Sequence, residues 1–326
     1  MNRIFVKNVS HSQILGYTHG MGYWVWAAAY TQYPISNIPQ IGKEVDLSVF
    51  TLGVILALSS SVSYGSADFF GGLGSRRISP YQVLALSEAV GAISMALLAV
   101  LSGESFPSWL TIFWCCLGNL IGVVGLAMLY QGLATGNTAV VAPVAGVVGA
   151  AVPVLLAFFT SGLPEFGPLI GFALAVPAIG FVTASGGAKV QSGNSGLRLA
   201  VLSGLAFGFF YVVMGQVKTG GVFGALSIGR ILALVVMLGI LRLRGEPFVN
   251  PLKNFAAVVT GVLDSVGNAT YMLANQNLRL DVAVILTSIY PAVTVLLSAF
   301  VLKEKVRLLQ WIGVGMCVAA IILIAL

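Results

Sequence analysis

Charge is what this 326-residue chain has least of. Only 8% of its residues are Asp, Glu, Lys or Arg, where a soluble domain carries about a quarter. That shortage excludes a globule coated by solvated side chains. Histidine is scarcer still: His11 and His19 are the only two, and both precede the apolar body. A Ser–His dyad, a His-ligated haem or a His-bearing metal site inside that body is therefore excluded. No Asp/Glu cluster at metal-ligand spacing takes their place, so no catalytic residues, no metal and no cofactor are expected. The three cysteines, Cys115, Cys116 and Cys317, lack zinc spacing, fall inside apolar runs and read as small buried hydrophobes. There is no phosphate-binding Walker motif, which excludes an ATP-driven pump. A ring of repeated charges or a filter loop, as a channel needs, is also missing.

What is present is apolar sequence: 58% of residues are hydrophobic, at a mean hydropathy of +0.98. It comes in blocks of about twenty residues, the length of a membrane-crossing helix. The blocks are continuous rather than alternating, so a β-barrel is excluded and helices must satisfy the backbone. The fold class is all-α, a polytopic membrane protein. About ten transmembrane helices are expected, near 49–73, 79–101, 108–132, 137–160, 166–186, 197–217, 221–241, 254–277, 281–302 and 308–325. Residues 1–48 are polar, aromatic-rich and without a span-length apolar run, and lack the order of a signal peptide. They are expected to be a poorly ordered extension or an interfacial segment, foreign to the natural protein if translation starts at Val45 or Val49.

The apolar body repeats itself. Tyr130-Gln131-Gly132-Leu133-Ala134 through Pro153 and Gly171 is echoed by Met272-Leu273-Ala274-Asn275-Gln276 through Pro291 and Gly313. The polar stretch Gly186–Gly196 divides a first repeat, 49–186, from a second, 197–326. Each holds about five spans. An odd repeat inserts its second copy upside down, which implies two inverted five-helix repeats about an axis in the membrane plane. Glycines one turn apart, Gly118/Gly122, Gly167/Gly171 and Gly204/Gly208, let helix backbones approach.

The net charge of +6 sits in loops and reads as an orientation signal with attraction to anionic lipid, not as a nucleic-acid surface. Arg76, Arg77, Lys189, Arg198, Arg242, Arg244, Lys253, Lys303, Lys305 and Arg307 fall in one set of alternate loops. Lys43, Lys218 and Arg279 fall in the other. The first set marks the cytoplasmic side, which turns both termini outward.

Four ionisable residues lie at bilayer depth, where they cost several kcal/mol unless they serve a purpose: Asp68, Glu88, Arg230 and Asp264. Glu88 and Arg230 occupy nearly equivalent places in the second and seventh spans. They form either a structural ion pair or a gating or coupling pair that breaks during transport. Spacings of three and four align Asp264, Asn268, Tyr271 and Asn275 on one helix face, which lines a water-filled cavity or bonds to a partner helix. Carboxylates in such a site suit proton coupling. Asp68 either joins them or reaches the interface to meet Arg76 or Arg77. Tyr64, Tyr211, Tyr271 and Tyr290 are candidate aromatic walls for amphipathic or cationic substrates. Pro143, Pro153 and Pro291 are candidate kinks.

The order of these features resembles the EamA-type permeases of the drug/metabolite transporter superfamily. The second half carries most of the likeness, in Ala283-Val284-Ile285-Leu286-Thr287-Ser288-Ile289-Tyr290-Pro291, the Leu302-Lys303-Glu304-Lys305 turn and the Gly313-rich last helix. The first half has a looser version from Ala139 to Pro153, with Glu165 and Gly171, and Tyr64-Gly65-Ser66 stands where the family opens with Trp-Gly-Ser. The resemblance implies a multi-pass permease of the inner or plasma membrane moving a small metabolite, amino acid or drug-like compound by alternating access. A membrane-embedded enzyme or a channel are the competing readings. The resemblance also implies an arginine at the Arg230 position, from which Glu88 departs, and termini in the cytoplasm, against the charge bias. Substrate, direction, coupling ion and oligomeric state are not legible.

Overall fold

A computed structural model of the chain describes residues 47–134, 138–161, 166–184, 195–214, 216–217, 222–278, 283, 286–304 and 306–325. Residues 1–46 of the expected extension, with His11 and His19, and the inter-repeat stretch up to Asn194 lie outside these residues, while Leu47 and Ser48 already belong to the first helix. Lys43, Lys189, Lys218, Arg279 and Lys305 also lie outside the described residues. Contacts divide the chain between Asp46 and Leu47.

Among the described residues, ten α-helices of 12 residues or more follow from Leu47 on: α1 Leu47–Ser75, α2 Pro80–Leu101, α3 Trp109–Ala134, α4 Thr138–Ser161, α5 Phe166–Ala184, α6 Ser195–Met214, α7 Val222–Arg244, α8 Phe255–Asn277, α9 Tyr290–Val301 and α10 Leu308–Ala325. The chain is an all-helical polytopic membrane protein. Five of the helices, α1, α2, α3, α6 and α7, are long and apolar enough to cross a bilayer by themselves. The surface is apolar, with Ile93, Val100, Trp109, Val176 and Phe300 all mostly exposed, while Ser60, Ser203, Thr260 and Thr294 are fully buried. Apolar outside and hydroxyl-bearing inside is the polarity a lipid solvent selects.

Local chemistry sets the helix ends. Ser79 caps α2: the Gln82 N–H donates to Ser79 Oγ, the Ser79 N–H donates to Gln82 Oε1, and Pro80 fills a first-turn position where its missing N–H costs nothing. Gly103 and Gly245, at φ +64 and +68, end α2 and α7 in the left-handed conformation that glycine alone adopts freely. The ninth span differs from its expectation of one helix over 281–302. Leu286 and Thr287 are helical, Ser288 and Ile289 form a turn, and α9 starts at Tyr290. Pro291 therefore stands in the first turn of α9 rather than kinking a continuous helix. Its ring excludes the Thr287 carbonyl and it lacks the N–H that would continue the ladder. Pro143 and Pro153 lie within α4, which runs unbroken. Pro177 inside α5 is a further helix proline that the sequence reading did not single out.

The repeats interleave instead of folding side by side. Helix α1 packs on α8, and α3, the equivalent of α8, packs on α6, the equivalent of α1. Likewise α4 packs on α6 and α9 on α1, while α2–α7, α4–α9 and α5–α10 join equivalent helices to each other. Swapping the repeats maps these contacts onto themselves, as a two-fold axis requires, whereas α4–α10 and α1–α3 have no such counterpart among the described residues. Particular residues give the register. The 142-residue shift from Glu88 to Arg230 also carries Gly103-Glu104 onto Gly245-Glu246 and Gly125 onto Gly267. A methyl group on Gly125 would meet the Phe207 ring, and one on Gly267 would meet the Tyr64 ring. Gly208 lies against the Gly149 carbonyl and Val152, just as Gly65 lies against the Tyr290 carbonyl and Val293. Tyr130 and Met272 are therefore equivalent, as the sequence echo has it. Pro291, however, matches Ala150 and not Pro153.

The axis pair α2–α7 is fastened at both ends. At one end Glu104, just beyond α2, accepts hydrogen bonds from the N–H groups of Phe223 (2.9 Å) and Gly224 (3.2 Å), unpaired donors in the first turn of α7. At the other end Glu246, just beyond α7, accepts from the Ser79 hydroxyl that caps α2. Each repeat thus holds the helix start of the other through the same glutamate.

Candidate functional site

A half-open cavity of about 70 Å³ lies where α1, α2, α3, α6, α7, α8 and the start of α9 converge. Its lining consists largely of repeat-equivalent pairs in which the scaffold agrees and the chemistry does not. Glu88 faces Arg230. Asp264 in α8 answers to Gly122 in α3, and Asn268 to Leu126. Tyr64 in α1 answers to Phe207 in α6, and Asp68 to Tyr211.

Arg230 is the centre of the network, its side chain only 3% exposed. Its Nη1 donates to Glu88 Oε2 at 3.4 Å, and its Nη2 forms a short bond to Asp264 Oδ2. The Asn268 side-chain amide donates to the same Asp264 oxygen at 3.1 Å and to the Asp264 carbonyl at 2.8 Å, one helical turn away. The Arg230 Nε is buried without an acceptor among the described residues. A buried guanidinium is tolerable because two carboxylates flank it; removing either leaves charge uncompensated. Gly91 makes room, since a methyl group there would lie 2.5 Å from Arg230 Nη1.

Asp68 is 5% exposed and lines the same cavity. The alternative that it meets Arg76 or Arg77 is corrected by the geometry. Arg76 instead pairs with Glu304 at 2.5 Å, bridging the ends of α1 and α9, and reaches the Leu133 carbonyl. Asp68 has no cation partner among the described residues.

Of the candidate aromatic walls, Tyr64, Tyr211 and Tyr290 line the cavity. The Tyr64 and Tyr290 rings meet edge to face at 6.5 Å. Tyr271 is buried and outside the lining. Asn275 lies in α8 two turns from Asn268, and its side chain is outside the description, as is that of Pro153. Sequence reasoning missed Asn119, Phe207 and Phe210. Asn119 had a signal, a lone amide in the apolar run of α3; here its Nδ2 donates to the Cys115 carbonyl at 2.8 Å. The two phenylalanines had none, because their neighbours in α6 are equally apolar. Among the described residues no group of three metal-ligating side chains gathers.

Residues 194–326 match the EamA-like transporter family. No curated protein matches the chain. A solved structure described as "Crystal structure of protein" is similar, with a TM-score of 0.57 and 17% identity over 85% of this chain and 97% of that one. At that identity the likeness concerns the fold alone. Residues 194–326 of this chain are thus similar to the EamA-like transporter family, which belongs to the drug/metabolite transporter superfamily.

Proposed function

We propose that the protein is a secondary transporter of the cell membrane, carrying a small molecule by alternating access, with the cavity between the repeats as its substrate site. The observation that carries this reading is the placement of buried charge. Glu88, Arg230, Asp264 and Asp68 are gathered at the cavity on the axis that relates the repeats, and charge in a membrane interior is expensive unless it serves a path. Substrate sites of inverted-repeat transporters lie at such an interface, and rocking of one repeat against the other exposes the site to either side.

Protons are the coupling ion in this proposal. A proton on Glu88 abolishes its attraction for Arg230, and at 3.4 Å that bond is the weaker of the two Arg230 makes. The test is a substrate-panel flux assay in proteoliposomes, with and without an imposed pH gradient. The expected result is gradient-driven accumulation that Glu88→Gln uncouples. Accumulation indifferent to the gradient would remove protons from the mechanism. Unimpaired coupling in Glu88→Gln would reduce the pair to a structural role, and no saturable flux across the panel would overturn the transporter reading.

A further inference from the structure

The cavity's charges do not balance. Three carboxylates line it, Asp68, Glu88 and Asp264, and among the described lining residues Arg230 is the single cation. Arg230 is engaged by two of them, Glu88 and Asp264, on its two terminal nitrogens. Asp68 is left over, buried, without a cation and open to the cavity. A buried carboxylate in that position takes up a proton or a mobile cation, because isolated charge in a low dielectric is not sustained. The cavity walls it shares are aromatic: Tyr64, Phe207, Phe210, Tyr211 and Tyr290. Aromatic faces attract a cation and also shelter an apolar body. An anionic substrate meets the reverse. The two terminal nitrogens of the guanidinium that would hold it are already bonded, and the carboxylates that outnumber Arg230 disfavour a further anion.

We propose that the cavity takes an organic cation, a protonated amine on an aromatic or apolar body, with Asp68 as the group that binds the ammonium. This rests on the reading of the cavity as the substrate site. In the resting site the proton on Asp68 stands where the ammonium will be, so cation entry releases it, and one positive charge replaces another.

The test compares three ligands with nearly the same skeleton and different charge: phenethylamine, phenylalanine and 3-phenylpropionate. Each is titrated into the purified full-length protein in detergent and then assayed for flux in proteoliposomes. The amine is expected to bind about tenfold tighter than the zwitterion or the anion. Asp68→Asn, which keeps the shape, is expected to cost the amine about tenfold and not to weaken 3-phenylpropionate, which has no ammonium, with Asp68→Glu restoring most of the loss. Thermal unfolding of both variants checks that the fold survives. Tighter binding of phenylalanine or 3-phenylpropionate, no detectable binding of the amine, or an Asp68→Asn protein that folds and binds the amine as before would each overturn the proposal. Failure of the transport reading looks different: the charge order in binding would stand while none of the three ligands crosses the membrane. Flux of phenylalanine without flux of the amine would keep the transporter and discard the cation.

Discussion

Arg230 is the residue on which the interior depends. Its two carboxylate partners come from different repeats, Glu88 from the first and Asp264 from the second. Replacing Arg230 by Met would leave both facing a low dielectric without compensation, at a cost of about 3 kcal/mol or more. Unfolding in detergent should register that loss, and adding Glu88→Gln with Asp264→Asn should recover most of it. A single variant as stable as the parent would mean that the carboxylates are not held as charges by Arg230. The four ionisable residues are legible in the sequence because each interrupts an apolar run. Their partners are not: Asp264 and Arg230 are 34 residues apart, on two helices, and local pattern says nothing about which helices meet. For the same reason the sequence left Asp68 between two readings that only packing separates.

At the scale of elements, the α2–α7 pair is secured by one glutamate at each end. Ser79→Ala should cost about 1 kcal/mol by loss of the α2 cap, measured by thermal unfolding. Glu246 lies outside the spans. Hydrogen bonds from the Ser79 hydroxyl and the Arg244 guanidinium hold its carboxyl below the usual range. A lowered folded-state value means that its contribution is present at neutral pH and fades as pH falls through that value. The stability gap between the parent and Glu246→Gln should therefore be widest near neutrality and close in acid. A gap that widens in acid would contradict the hydrogen-bonded carboxylate. Helix ends were legible to within a few residues because caps, glycines and prolines act locally. The break before α9 was not, because a proline fits either a kinked helix or the first turn of a new one, and neighbouring backbone decides.

For the whole molecule, the interleaved repeats set up an orientation that can be tested directly. The basic loops gather at the end where Glu246 meets Ser79, and the Glu104 end is poor in cations. The positive-inside rule puts the first end in the cytoplasm. Cysteine introduced at exposed Ser105, beside Glu104, should react with a membrane-impermeant thiol reagent on intact cells. One at exposed Asn250, beside Glu246, should react only after lysis. The opposite pattern would favour the arrangement that family resemblance implies.

Hydropathy and span length were enough to determine an all-helical polytopic membrane protein, with ten long helices among the described residues. Each of these depends on residues near one another in the chain, weighed against a single solvent property. Tertiary structure decided what the halves do to each other: the register of the repeat in α4 and α9, the bond from Arg230 to Asp264, and an Asp68 without a cation among the described residues. These follow from helices of different repeats packing across the axis. Equivalent backbones there present unlike side chains to one cavity, and no pattern along a single chain records that meeting.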